Sequence, residues 1–141
     1  MDRAGNEKLN VMGLQIPVAA NTTITEACMV AINSDGYAVE ASKTEGIKVA
    51  GCAMRYTENA GADGEEMVPV RRGAFVWNND GSIENTDILK DCYVSDAQTV
   101  TITAAGSSKA GVILAVEDDG VTVEMLSLIH ISEPTRLRRI S

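Results

Sequence analysis

The chain has 141 residues, 45% hydrophobic but only 4% aromatic, with 12 basic residues against 20 acidic ones and a formal charge of −8. That length suits one domain whose core needs neither disulfides nor metal. An acidic balance with scattered positive charges excludes the continuous basic face that duplex DNA or an anionic membrane requires, so neither is expected as a partner.

From the N-terminus, Met1 to Asn10 is polar and without periodicity, and residues 1–13 are expected to form a flexible arm. Leu14 to Val18 then reads as a short apolar strand. Ala27 to Ile32 and Tyr37 to Glu40 flank Asn33-Ser34-Asp35-Gly36, whose Asp-Gly pair tolerates the positive φ of a tight hairpin. Ile47 to Tyr56 reads as a strand with small residues at Ala50, Gly51 and Ala53, which admit close packing of another segment. The stretch from Glu58 to Glu66 is acidic and turn-rich, and no extended strand is expected there.

Val68 to Trp77 resumes the strand pattern, with Pro69 near its start, and Asn78-Asn79-Asp80-Gly81 reads as a second hairpin-like turn. Arg71 and Arg72 are neighbours in that strand, so they point to opposite faces and only one can meet a given partner. Asn85 to Lys90 suits one helical turn capped by Thr86 or Asp87, before a strand beginning at Cys92 to Val94. In Gln98 to Thr103, Val100 and Ile102 share one face and three threonines the other, the mark of a half-buried strand. Val112 to Val116 and Val121 to Met125 are expected to pair around Asp118-Asp119-Gly120. Many short strands with regular turns predict an all-β domain over 14–125: a small barrel or sandwich of antiparallel strands, or an open β-tulip arrangement.

The remainder, 126–141, is read apart. Leu126 to Arg136, LSLIHISEPTR, looks like a translated sequencing adapter, and such a segment is excluded from fold reasoning. The natural end is then expected near Met125; residues 1–125 hold nine basic and nineteen acidic residues, and the sole histidine, His130, falls in the tail.

Chemistry is sparse along the chain. Cys28, Cys52 and Cys92 are odd in number, widely spaced and in apolar strand contexts, which predicts buried free thiols rather than a disulfide framework or zinc site. The polar start and short apolar runs predict a protein without signal peptide or membrane span, so the Asn21-Thr22-Thr23 sequon carries no weight. Gly61 to Gly64 lacks the Lys-Ser/Thr of a phosphate loop and reads as a plain loop. Glu65-Glu66 and Asp118-Asp119 lie in turns, where carboxylates serve local hydrogen bonding, and calcium-loop spacing is missing. A Ser or Cys nucleophile would lack a histidine base. No catalysis and no cofactor or metal are therefore expected. Trp77 and Phe75 share one strand face as the core's largest anchors, while Trp77, beside a polar turn, also suits a subunit contact.

The segments VPVRRGAFVWNND, ILKDCYVSDAQTV and SSKAGVILAVEDDGVTVE, with IPVAANTTITEACMVAINSDGYAVEAS upstream, resemble the tailed-phage capsid cement or head decoration family over about residues 14–124. The resemblance implies a virion protein on the capsid exterior, present in the host cytoplasm during assembly. It also implies the major capsid protein as partner and a homotrimer on the shell. It suggests that Lys8 to Val18 adds a strand to a coat-protein edge, with Leu14, Ile16, Val18 and Trp77 as interface candidates. Two other classes remain: a cytosolic, non-catalytic β binding module, and a small barrel enzyme that would gather polar groups such as Arg71, Asp96 or Lys109 in one pocket.

Overall fold

The computed structural model describes residues 13–125; the expected arm up to Met12 and the tail 126–141 lie outside the described residues. Twelve strands run in the order β1 (Gly13–Pro17), β2 (Thr22–Ile24), β3 (Met29–Ile32), β4 (Ala38–Glu40), β5 (Lys48–Ala53), β6 (Thr57–Asn59), β7 (Met67–Arg71), β8 (Ala74–Asn79), β9 (Asp91–Asp96), β10 (Thr99–Thr101), β11 (Lys109–Glu117) and β12 (Gly120–Glu124). The chain is all-β, with one 3-10 turn, Asn85–Asp87, before β9. No helix among the described residues is long and apolar enough to cross a membrane.

The strands form an open sheet and a closed barrel. The sheet has the order β1-β7-β5-β3-β4, the barrel β10-β8-β12-β11-β9, and β2 pairs with β6 as a separate ribbon. The strand pairings are antiparallel except β8 with β10, which run parallel, as does the isolated Val18–Ala38 bridge. Val18 bridges Ala38 of β4, bringing the segment after β1 back to the opposite edge of the sheet.

Strand alternation divides the core in two. On β3, Met29 and Ala31 join the barrel residues Trp77, Val94, Val100, Ile113, Val121 and Val123. Between them, Val30 faces the other way and packs with Ile16, Val18, Val68 and Val70. On β5, Val49 and Ala50 divide likewise. The middle of the sheet is therefore buried on both faces, which is why β3 reads as a continuous apolar run rather than an alternating one.

Several expectations change. Val68 to Trp77 is not one strand: it breaks at Arg72-Gly73, and its halves β7 and β8 belong to the sheet and the barrel. Gly73, at φ 149, supplies the turn between them. Glu58 and Asn59 are not loop but strand β6, anchored by the buried Asn59 side chain. Asn78 to Gly81 does not close a hairpin, because β8 pairs with β10 and β12 instead of the strand that follows it. Thr101 is buried rather than on a solvent face, its hydroxyl lying 3.2 Å from that of Ser82. At the 3-10 turn, the Asp87 carboxylate accepts the Glu84 N–H at 2.9 Å, so the cap forms around Glu84 rather than from Thr86.

Candidate interaction surface

The four interface candidates from sequence are not gathered in one place. Leu14 is 38% exposed, whereas Ile16 and Val18 are buried in the core between the sheet and the β2-β6 ribbon. Trp77 is 4% exposed and lies inside the barrel, its ring centroid 6.2 Å from that of Phe75, so the anchoring role holds. The Trp77 indole N–H is buried and has no hydrogen-bond partner. Of the four, Leu14 alone presents substantial area to a partner.

The backbone of β1 presents more. Pro69 of β7 pairs with Gln15, and its carbonyl accepts the Met54 N–H at 2.8 Å, on the side of β7 away from β1. The N–H and C=O of one strand residue point the same way and alternate along the strand. Val68 and Val70 therefore bond to β1 through their partners Ile16 and Leu14, and Gly13, Gln15 and Pro17 point outward. Among the described residues, the outer edge of β1 thus leaves the N–H and C=O of Gly13 and Gln15 unpaired, whereas the Pro17 carbonyl is taken by the Ala38 N–H in the parallel Val18–Ala38 bridge.

The sheet face beside that edge is also uncovered. Register places Gln15 beside Pro69 and Pro17 beside Met67, while the Met54 hydrogen bond continues the β5-β7 register by one residue. Met54 and Met67 are 44% and 40% exposed, and Tyr56 also projects to solvent. Arg71 is exposed on this face opposite Gly13, whereas Arg72, in the break after β7, donates to the Met125 carbonyl at 3.3 Å. The expectation that the two arginines alternate within one strand does not apply, because β7 ends at Arg71. Sequence reading passed over Met54, Met67 and Gln15 because nothing local reveals that β1 is an edge.

A second concavity, an open cleft of about 420 Å³, lies where sheet meets barrel, lined by Thr25, Cys28, Glu40, Asp96 and Gln98 among others. Its two carboxylates are engaged in the fold. The Glu40 carboxylate accepts the Thr25 N–H and the Asp96 carboxylate accepts the Gln98 N–H, each at 2.8 Å. Burial, with the nearby charge of Glu40, pushes the Cys28 thiol up to about 12, so it stays protonated and a poor nucleophile at neutral pH. Cys92 is likewise pushed to about 12 by burial. The three thiols are free, Cys28 and Cys92 buried and Cys52 half-buried.

Two carboxylates shift downward for structural reasons. At Asp80, burial acts to raise the carboxyl pKa, but hydrogen bonds from Ser82 and Thr101 outweigh it. At Asp87, the Glu84 amide lowers it, assisted by Lys90. Arg71, Asp96 and Lys109 do not converge: Asp96 lines the cleft, Arg71 lies on the β7 face, and Lys109 pairs with Asp91 at 3.1 Å. Among the described residues, no group of three or more His, Cys, Asp or Glu is placed to hold a metal.

Comparison with protein-family models, curated proteins and solved structures finds no match to this chain.

Proposed function

We propose that this chain is a structural virion protein that binds the outside of a phage or prophage head and stabilises the capsid, with the major capsid protein as its partner. The observation that carries the reading is the unpaired outer edge of β1, continuous with the uncovered face of Met54, Met67 and Tyr56. A protein that works by attachment needs such a surface, and main-chain pairing gives affinity without specialised side chains. The resemblance over residues 14–124 points the same way and supplies the trimeric arrangement on the shell. Each copy bridges neighbouring coat subunits, so many modest contacts sum to a shell that resists internal pressure.

The site of attachment is refined relative to the sequence expectation. Leu14 to Val18 does not await the capsid to become ordered, since Gly13–Pro17 already pairs with β7. What the strand offers is its other edge.

The test is co-purification of residues 1–125 with the coat protein encoded beside it. Sedimentation with expanded shells at about one copy per coat subunit supports the proposal, and absence from well-formed shells overturns it. Deleting residues 1–12 is expected to abolish shell binding while leaving thermal unfolding nearly unchanged; normal binding by that variant removes the arm from the mechanism.

A further inference from the structure

Resting on the reading of this chain as a shell-binding module, we propose that the strand received by the β1 edge carries a carboxylate opposite Gly13, and that Arg71 clasps it by reaching across the glycine. Arg71 and Gly13 are directly opposed in the β1-β7 register, so their side-chain positions share one face of the sheet. Gly13 has no side chain, so the path from Arg71 over β1 to the outer edge is open. Strands lie about 4.8 Å apart, which sets the incoming strand about 10 Å from β7, a span that an extended arginine and a Glu or Asp side chain cover together.

Charge makes the same point. The chain carries 20 acidic residues against 12 basic ones, yet Arg71 is exposed and takes no ion pair among the described residues. The ion pairs of the described residues are Lys90–Asp87 and Lys109–Asp91. An unpaired guanidinium beside an unpaired strand edge fits a carboxylate, which it can hold through two parallel hydrogen bonds.

The rest of the edge specifies the partner further. Gln15 offers both N–H and C=O and sets the register, whereas at Pro17 the carbonyl is taken by Ala38 of β4 and the open edge ends. The partner strand thus presents an acidic residue opposite Gly13 and ends before Pro17. A second copy of this chain does not meet that requirement. Antiparallel pairing of two β1 edges about Gln15 sets Pro17 against Gly13, with no carboxylate for Arg71.

The test uses the full chain and an immobilised library of random ten-residue peptides. The expected result is selection of peptides with Asp or Glu at one fixed position. Their binding should fall roughly tenfold in Arg71→Ala, vanish in Gln15→Pro, which removes that residue's outward donor, and persist in Arg55→Ala. Thermal unfolding of each variant checks that the fold is intact. Selection of no peptide, selection without acidic preference, or unchanged binding by Arg71→Ala overturns the clasp. So does a concentration-dependent dimer that Gln15→Pro abolishes, since a second copy would then hold the edge. Shell binding without peptide selection removes the clasp alone, and peptide selection without shell binding removes the capsid reading alone.

Discussion

Asn59 donates its side-chain amide to the carbonyl of Val18 at 3.0 Å, joining the end of β6 to a segment 41 residues earlier in the chain. The same amide nitrogen reaches the carbonyls of Ala19 at 3.1 Å and Ala62 at 2.9 Å, while its oxygen accepts the Gly61 N–H at 3.0 Å. One buried side chain thus satisfies backbone groups that a loop crossing the core would otherwise leave unpaired.

Asn59→Ala leaves the Ala19 carbonyl and the Gly61 N–H without their partner and takes one of two donors from the Val18 and Ala62 carbonyls, which keep the Gly64 and Glu65 N–H. A cost of about 2–4 kcal/mol is expected, read as a lower urea midpoint at unchanged slope. Asn59→Asp should be at least as damaging, because its carboxylate meets the same carbonyls with no donor. A loss below about 1 kcal/mol in Asn59→Ala would show that solvent replaces the amide.

Gly120 opens β12 directly beneath β8. Its φ is +148, and a Cβ there would lie 2.5 Å from the Trp77 carbonyl oxygen and 2.9 Å from Val76. Backbone, unlike the tip of a side chain, cannot step aside. Gly120→Ala should therefore cost about 3 kcal/mol or more and open the β8-β12 seam, seen as loss of hydrogen-exchange protection at Val121 and Val123. Protection equal to that of the unmodified protein would mean that the hairpin tilts to make room.

These two positions mark what the sequence could disclose. The β11-β12 hairpin around Asp118-Asp119-Gly120 and the β3-β4 hairpin around Asn33 to Gly36 were legible, since both halves of each pair lie side by side in the chain. Assignment of β7 and β8 to different sheets was not, because an apolar run carries no record of which partner each half meets. Burial of Asn59 was invisible for the same reason: two of its three acceptors, the Val18 and Ala19 carbonyls, depend on where the segment after β1 passes. The free edge of β1 became readable only through Pro69, whose carbonyl direction fixes which side of β7 faces β1.

The thiols predict an alkaline limb in stability. Cys28 and Cys92 are pushed to about 12 from an ordinary value of 9.0, chiefly by burial. Between those values the unfolded chain releases the proton and the native chain retains it, so the native state loses ground as pH rises. Below pH 9 the contribution is fully present. From pH 9 to 12 it declines by on the order of 1.4 kcal/mol per pH unit for each fully shifted thiol. Subtracting the urea-derived stability of Cys92→Ala from that of the unmodified chain across this range isolates one thiol. A difference that stays flat would show that Cys92 ionises as freely in the native state as in the unfolded one.

Leu89 offers a test in which removing a large apolar side chain should stabilise the protein. It sits after the 3-10 turn at φ +75, a left-handed conformation that suits glycine, and it is 73% exposed. Its backbone is held there by its N–H to the Ile113 carbonyl and by the Ile113 N–H to the neighbouring Lys90 carbonyl at 2.9 Å. The side chain therefore carries the strain of a left-handed leucine, about 1–2 kcal/mol, with little burial in return. Leu89→Gly relieves that strain but gives the unfolded chain more conformational freedom, which takes back up to about 1 kcal/mol. The balance predicts a rise in stability of about 0.5–1 kcal/mol, with Leu89→Asn gaining less because asparagine tolerates this region only in part. A fall in stability of the same size in Leu89→Gly would show that the leucine packs on Ile88 and Leu114 strongly enough to outweigh its backbone.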